Sequence, residues 1–223
     1  AELAEEQAGI KPVRNYGEAF RMPQTLLLTA QYFFWSIGVY GFVLWLPSIL
    51  KAAGSIGIVE VGWLTAVPYL LAAILMVVAS VFSDRSGVRR PYVWPFLLLG
   101  AVTFYGSYAI GPGSFWLSFL LLVIAGGAMY APYGPFFALI PELLPRNVAG
   151  ASIALINSFG ALGSFVGAYA VGWLNGATKS PDMSYLFMAG ALLASAVLTL
   201  LVHAPAGHRA DFTPPLSSRG AAH

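Results

Sequence analysis

The chain has 223 residues, of which 58% are hydrophobic, 14% aromatic and only 9% charged, with a mean hydropathy of +0.76. Soluble domains carry about a quarter charged residues, so too few polar side chains are present to coat a water-facing surface and a soluble globular fold is excluded. The net charge of +2 is spread over scattered Lys and Arg, which leaves no basic patch to neutralise phosphates and excludes nucleic acid as a partner. The absence of cysteine removes disulfides, thiolate metal sites and a cysteine nucleophile together. No cofactor and no metal is expected. The environment implied is a lipid bilayer.

Residues 1–24 mix four Glu with Lys11, Arg14 and Arg21 and lack the apolar core of a signal peptide. They read as a cytoplasmic linker, and the opening Ala1 suggests a start inside a longer polypeptide. Six apolar blocks follow within residues 25–203: Thr25 to Leu50, Val59 to Phe82, Tyr92 to Ile110, Phe115 to Leu139, Val148 to Leu174 and Met183 to Val202. At about 1.5 Å per residue, a helix needs roughly 20 residues to cross the hydrocarbon core. Barrel strands would alternate polar and apolar positions, and these blocks do not. The predicted fold is therefore all-α, a bundle of six transmembrane helices. Residues 204–223, rich in Pro, Ser, Gly and Ala, read as a disordered tail.

Lys and Arg divide nine to two between the two sides of such a bundle, with only Lys51 and Lys179 on the minority side. Positively charged loops stay in the cytoplasm, so both termini are expected there.

In the first block, Gln31, Trp35, Gly38 and Trp45 share one helical face and Tyr32, Ser36 and Tyr40 an adjacent one. Such a polar and aromatic mixture suits a water-lined cavity; for Trp45 the interfacial aromatic belt is the better reading. The fourth block contains Gly126, Gly127, Tyr130, Pro132, Tyr133, Gly134, Pro135 and Phe137. Its prolines and glycines must loosen or bend the helix, which is tolerable beside protein or a wet cavity.

No charged residue falls at mid-depth of any block. The best uncharged candidate is Asn157, within a stripe of small residues running from Gly150 through Ala154, Ala161 and Ser164 to Ala168. Substrate contact and hydrogen bonding to a neighbouring helix are both open to it. The parallel row Gly160, Gly163 and Gly167 reads as a packing face. Between the second and third blocks lies Ser83-Asp84-Arg85-Ser86-Gly87-Val88-Arg89-Arg90, where Asp84 can pair with an arginine and cap a helix.

This turn resembles the Asp-Arg-x-Gly-Arg-Arg loop of the major facilitator superfamily, found between the eighth and ninth helices of those transporters. Ser80 stands where the motif opens with Gly, and Val88 adds a residue before the arginine pair. The stretches Val61 to Tyr69, Tyr133 to Glu142 and Ala154 to Gly160 are similar to the anion:cation symporter (phthalate permease-like) branch, with 2-ketogluconate transporters nearest. The resemblance implies the C-terminal six-helix half of such a fold, built of two inverted three-helix repeats. It implies proton symport of a small anionic sugar acid across the bacterial inner membrane by alternating access, with Gln31, Tyr32, Tyr40, Tyr133, Phe137 and Asn157 lining the substrate path. Asp84, Arg85, Gly87, Arg89 and Arg90 then form the cytoplasmic gate motif. The implied partners are the substrate, protons, the lipid bilayer and a missing N-terminal half that carries the charged binding groups. Two other readings are an intramembrane serine protease using Ser164 and His203, and a six-span protein that pairs with itself.

Overall fold

A computed structural model describes residues 16–53 and 57–202. A short helix α1 (Tyr16–Arg21) leads into α2 (Pro23–Ala53), α3 (Ile58–Ser86), α4 (Trp94–Ile110), α5 (Phe115–Tyr130), α6 (Tyr133–Leu143), α7 (Arg146–Thr178) and α8 (Asp182–Leu201). With α5 and α6 forming one broken span, the described residues contain six helical spans long and apolar enough to cross a membrane. This is the predicted all-α architecture. His203 and the expected tail lie outside the described residues, as does most of the expected linker; α1 packs on α2 and α7 and buries Ala19.

The helix ends follow local chemistry. Chain reversal after α3 is made by Gly87, whose φ of 67° lies in the left-handed region and whose N–H reaches the Asp84 carbonyl. Pro91 opens the 3-10 turn Arg90–Tyr92, and Pro95 lies in the first turn of α4, positions where the missing N–H costs nothing. Pro132 separates α5 from α6, because its ring cannot continue the α5 hydrogen-bond ladder.

Helix α2 is the axis of the bundle, packed chiefly on α7 and α8, with Trp35 and Phe42 fully buried. Its approach to α7 is backbone-close. A Cβ at Gly163 would collide with the Phe33 carbonyl oxygen, and one at Gly167 would lie 2.8 Å from the Ile37 Cα. In lipid, helices associate through such close van der Waals packing rather than through the hydrophobic effect. Trp45 belongs to the same seam: its indole N–H donates to the Ala168 carbonyl at 2.9 Å. Its role is therefore helix contact, a correction to the belt reading.

Helix α3 is the least covered span. Leu70, Ile74, Val77, Val81 and Phe82 are all exposed along it, as suits a helix facing lipid or another apolar bundle.

Candidate functional site

At mid-span an aromatic cluster joins α2, α3, α5 and α6. The Tyr32 ring stacks on Phe136 at 5.3 Å and meets Phe137 edge-on at 5.5 Å. Tyr133 stacks on Tyr130 at 5.5 Å and on Phe137 at 6.3 Å, while Tyr69 reaches Tyr130 at 6.1 Å. The hydroxyl of Tyr32 interacts with those of Tyr133 and Ser36. Tyr40, 42% exposed, lies near Tyr32, Tyr130 and Tyr133. Five phenols thus converge, giving rings for stacking and hydroxyls that both donate and accept.

The break between α5 and α6 creates this arrangement. Pro132 turns the chain so that Tyr130 and Tyr133, on either side of it, present parallel rings. Trp35 holds the break from the core side, its indole N–H donating to the Met129 carbonyl at 2.9 Å and its ring lying 4.5 Å from Tyr133.

Helix α7 brings Asn157 to the same level. The Tyr32 ring occupies the space a Cβ at Gly160 would need, and Asn157 lies three residues earlier, about 4.5 Å along the helix axis. Asn157 is exposed, together with Gly150, Ala154 and Ala161, whereas Gly160, Gly163 and Gly167 are buried. The two small-residue rows therefore have different roles: the glycines form the seam with α2, and the Asn157 stripe faces away from it.

Of the six sequence candidates, Tyr32, Tyr133 and Phe137 come together in the cluster, Tyr40 borders it on the exposed side, and Asn157 stands beside it. Gln31 does not join them. It is 1% exposed, its amide has no hydrogen-bond partner among the described residues, and its backbone carbonyl accepts from Ser195 of α8 at 2.9 Å. Gln31 follows Trp35 into the core, so the expected path-lining position is corrected to an interior one. Tyr69 and Tyr130 join the cluster although the sequence reading did not select them.

A second polar group lies at one end of the bundle. Arg89 pairs with Asp84 and, through Nε, with Glu142 at the end of α6 at 2.9 Å; it also donates to Ser83 at 3.3 Å. Burial works against the Arg89 charge, but hydrogen bonds and charge from Glu142 and Asp84 outweigh it and raise the pKa above its ordinary value. Arg90 donates to the Leu200 carbonyl at the end of α8, and Arg85 is exposed. Asp84 thus finds its arginine, but the cap is the backbone of Gly87. The substitution of Ser for Gly at position 80 is compensated across the helix pair: Ser80 fills the space a Cβ at Gly134 would take.

Among the described residues no cluster of His, Asp or Glu could hold a metal. The Ser164 hydroxyl donates to the Gly160 carbonyl of its own helix at 2.9 Å, the posture of a structural serine rather than of a nucleophile.

Residues 28–218 match the family model of the Major Facilitator Superfamily. A protein of Agrobacterium vitis named as a tartrate transporter is 35% identical over 179 residues, 80% of this chain and 39% of that protein. The quinolone resistance transporter of Acinetobacter baumannii is 28% identical over 91% of this chain and 47% of its own length. A protein of Escherichia coli (strain K12) named as a galactarate/D-glucarate transporter is 27% identical over 73% of this chain and 37% of its own. The chain spans less than half the length of these relatives. Six membrane-capable helices, a mid-span phenol cluster and a family match across most of the sequence lead to one assignment: the chain belongs to the Major Facilitator Superfamily, a family of transporters rather than enzymes.

Proposed function

We propose that this chain is the C-terminal six-helix half of a transporter for a polyhydroxylated organic anion. The observation that carries the reading is the exposed Asn157 beside the tyrosine cluster, on a face of α7 that no described helix needs for packing. Tartrate, galactarate and D-glucarate, named for relatives, share hydroxyls flanked by two carboxylates, and 2-ketogluconate carries the same run of hydroxyls with a single carboxylate. The Asn157 amide and the hydroxyls of Tyr40 and Tyr32 donate to such groups, and the rings of Tyr133 and Phe137 pack on the carbon chain. Positive charge for the carboxylates, and the carboxylate that carries a coupled proton, come from the other six-helix half.

In this reading the two halves rock about the bound anion, which exposes it to either side of the inner membrane in turn. The Arg89 group sits at the cytoplasmic end, and both termini are cytoplasmic because the basic residues cluster there. Protons drive uptake as symported ions.

The test is uptake of labelled tartrate, D-glucarate and 2-ketogluconate by the complete transporter in proteoliposomes under an imposed proton gradient. Losing a hydrogen bond to a charged group costs about 1.5–3 kcal/mol, so Asn157→Ala should raise KM roughly 10- to 100-fold for the true substrate. Unchanged kinetics for every transported anion would remove Asn157 from the binding site. Uptake indifferent to the proton gradient would exclude symport.

A further inference from the structure

A cavity of about 210 Å³ lies at the end of the bundle opposite Arg89, where α2 and α4 finish and α5 and α8 begin. None of its walls carries a residue of the tyrosine cluster. Its apolar side is formed by Ile49, Leu50, Phe115, Phe119 and Leu122, with Phe115 and Phe119 nearly parallel at 6.1 Å.

The polar side is short and mostly self-satisfied. Ser107 and Ser118 share a hydrogen bond of 2.6 Å, and the Tyr185 hydroxyl lies near Ser107. That leaves the carboxylate of Asp182, the one ionisable acid among the lining residues, which makes no ion pair among the described residues. Lys51 and Lys179 are near in sequence to Leu50 and Ser180, but both are exposed and neither lines the cavity.

A carboxylate without a cationic partner among the described residues, lining one cavity with two phenyl rings and three aliphatic side chains, is complementary to an ammonium group on an apolar body. The carboxylate supplies the charge-assisted hydrogen bond, and the ring faces tolerate the cation while packing on its hydrocarbon. Pockets for drug-sized ligands run to about 300–1,000 Å³; this one is smaller, so it fits a single ring with a short amine arm, or the head and first carbons of an aminolipid. We infer that this cavity is a binding site for a small amphipathic ammonium compound, separate from the transport pathway.

The complete transporter in nanodiscs of phosphatidylglycerol, a lipid without an amine, should bind radiolabelled 2-phenylethylamine saturably. The neutral analogue 2-phenylethanol should not displace it. Asp182→Asn should weaken binding at least tenfold, and Leu122→Trp, which fills the cavity while keeping the carboxylate, should abolish it. Repeating the measurement in phosphatidylethanolamine separates the sources: weaker amine binding there identifies the lipid headgroup as the resident ammonium, and equal binding identifies a soluble amine. Absence of saturable binding in both lipids overturns the site, and so does unchanged affinity in the Asp182→Asn and Leu122→Trp proteins. Because the readout is equilibrium binding, it is independent of whether the proposed anion is transported.

Discussion

The indole N–H of Trp35 and the carbonyl of Met129 are joined at 2.9 Å across 94 residues of sequence. The bond anchors the end of α5 to α2 just before Pro132 interrupts the chain, so the tyrosines on either side of the break inherit their positions from it. Trp35→Phe keeps an aromatic ring and removes the donor. An unsatisfied buried carbonyl costs about 1–3 kcal/mol, and that loss should appear as a lower thermal midpoint in detergent. The accompanying drop in transport should fall on the maximal rate.

Gly160 and Gly167 should reject a side chain that Gly150 and Gly190 accept. At Gly167 the added methyl strikes Ile37 backbone, and at Gly160 it strikes the Tyr32 ring. Overpacking of this kind costs about 1–3 kcal/mol. Nothing lies within 4 Å of a Cβ at Gly150 or Gly190, so alanine there should be neutral or stabilise by up to about 1 kcal/mol through helix propensity. Thermal melts of the four alanine variants check the contrast; equal behaviour would mean that the α2–α7 seam is not as close as described.

Ser80 and Gly134 should behave as a coupled pair. Gly134→Ala alone drives a methyl into Ser80 and should destabilise. Combining it with Ser80→Gly removes the obstacle and should recover most of the loss, with a coupling energy of about 1–2 kcal/mol in a double-mutant cycle. Additive effects would show that the two positions do not touch.

Arg89→Lys should weaken the end group even though charge is preserved, because one ammonium cannot reproduce guanidinium contacts to both Asp84 and Glu142. The transport rate should fall several-fold with little change in KM. Burial opposes the Arg89 charge, yet its two carboxylate partners raise its folded pKa above the unfolded value. The stabilisation from this group is therefore fully present below the unfolded pKa and is lost only as pH rises through the folded one. Its own titration should give no pH dependence across the neutral range.

The six spans were legible because a bilayer demands long apolar helices and little else. Pro132 announced the break between α5 and α6 through its missing N–H. Of the two small-residue rows of α7, the glycine row was legible as a packing face, whereas the Asn157 row stayed open between helix contact and a free wall because one helix alone does not reveal whether a neighbour covers it. Gln31 illustrates the same limit, since its polar side chain suggested a wet wall while the neighbouring Trp35 was the residue that fixed the direction of that face. Glu142 escaped notice as an Arg89 partner because the two are 53 residues apart, a separation that only the packing of α6 near α3 closes. Tyr69 and Tyr130 were missed for a similar reason, each belonging to the cluster through a partner on another helix.

The glycine seam of α7 has a bearing on motion. Because the Gly163 and Gly167 contacts are backbone on backbone, and the Tyr32 and Trp45 side chains are fixed against α7 on either side of them, the pair is expected to swing as a single stiff lever. The outward row of Gly150, Ala154 and Ala161 is free of long side chains. The exposed side chains of Leu162 and Phe165 project beside that row, so the smooth strip is narrow and bordered by groups that a neighbouring bundle has to pass.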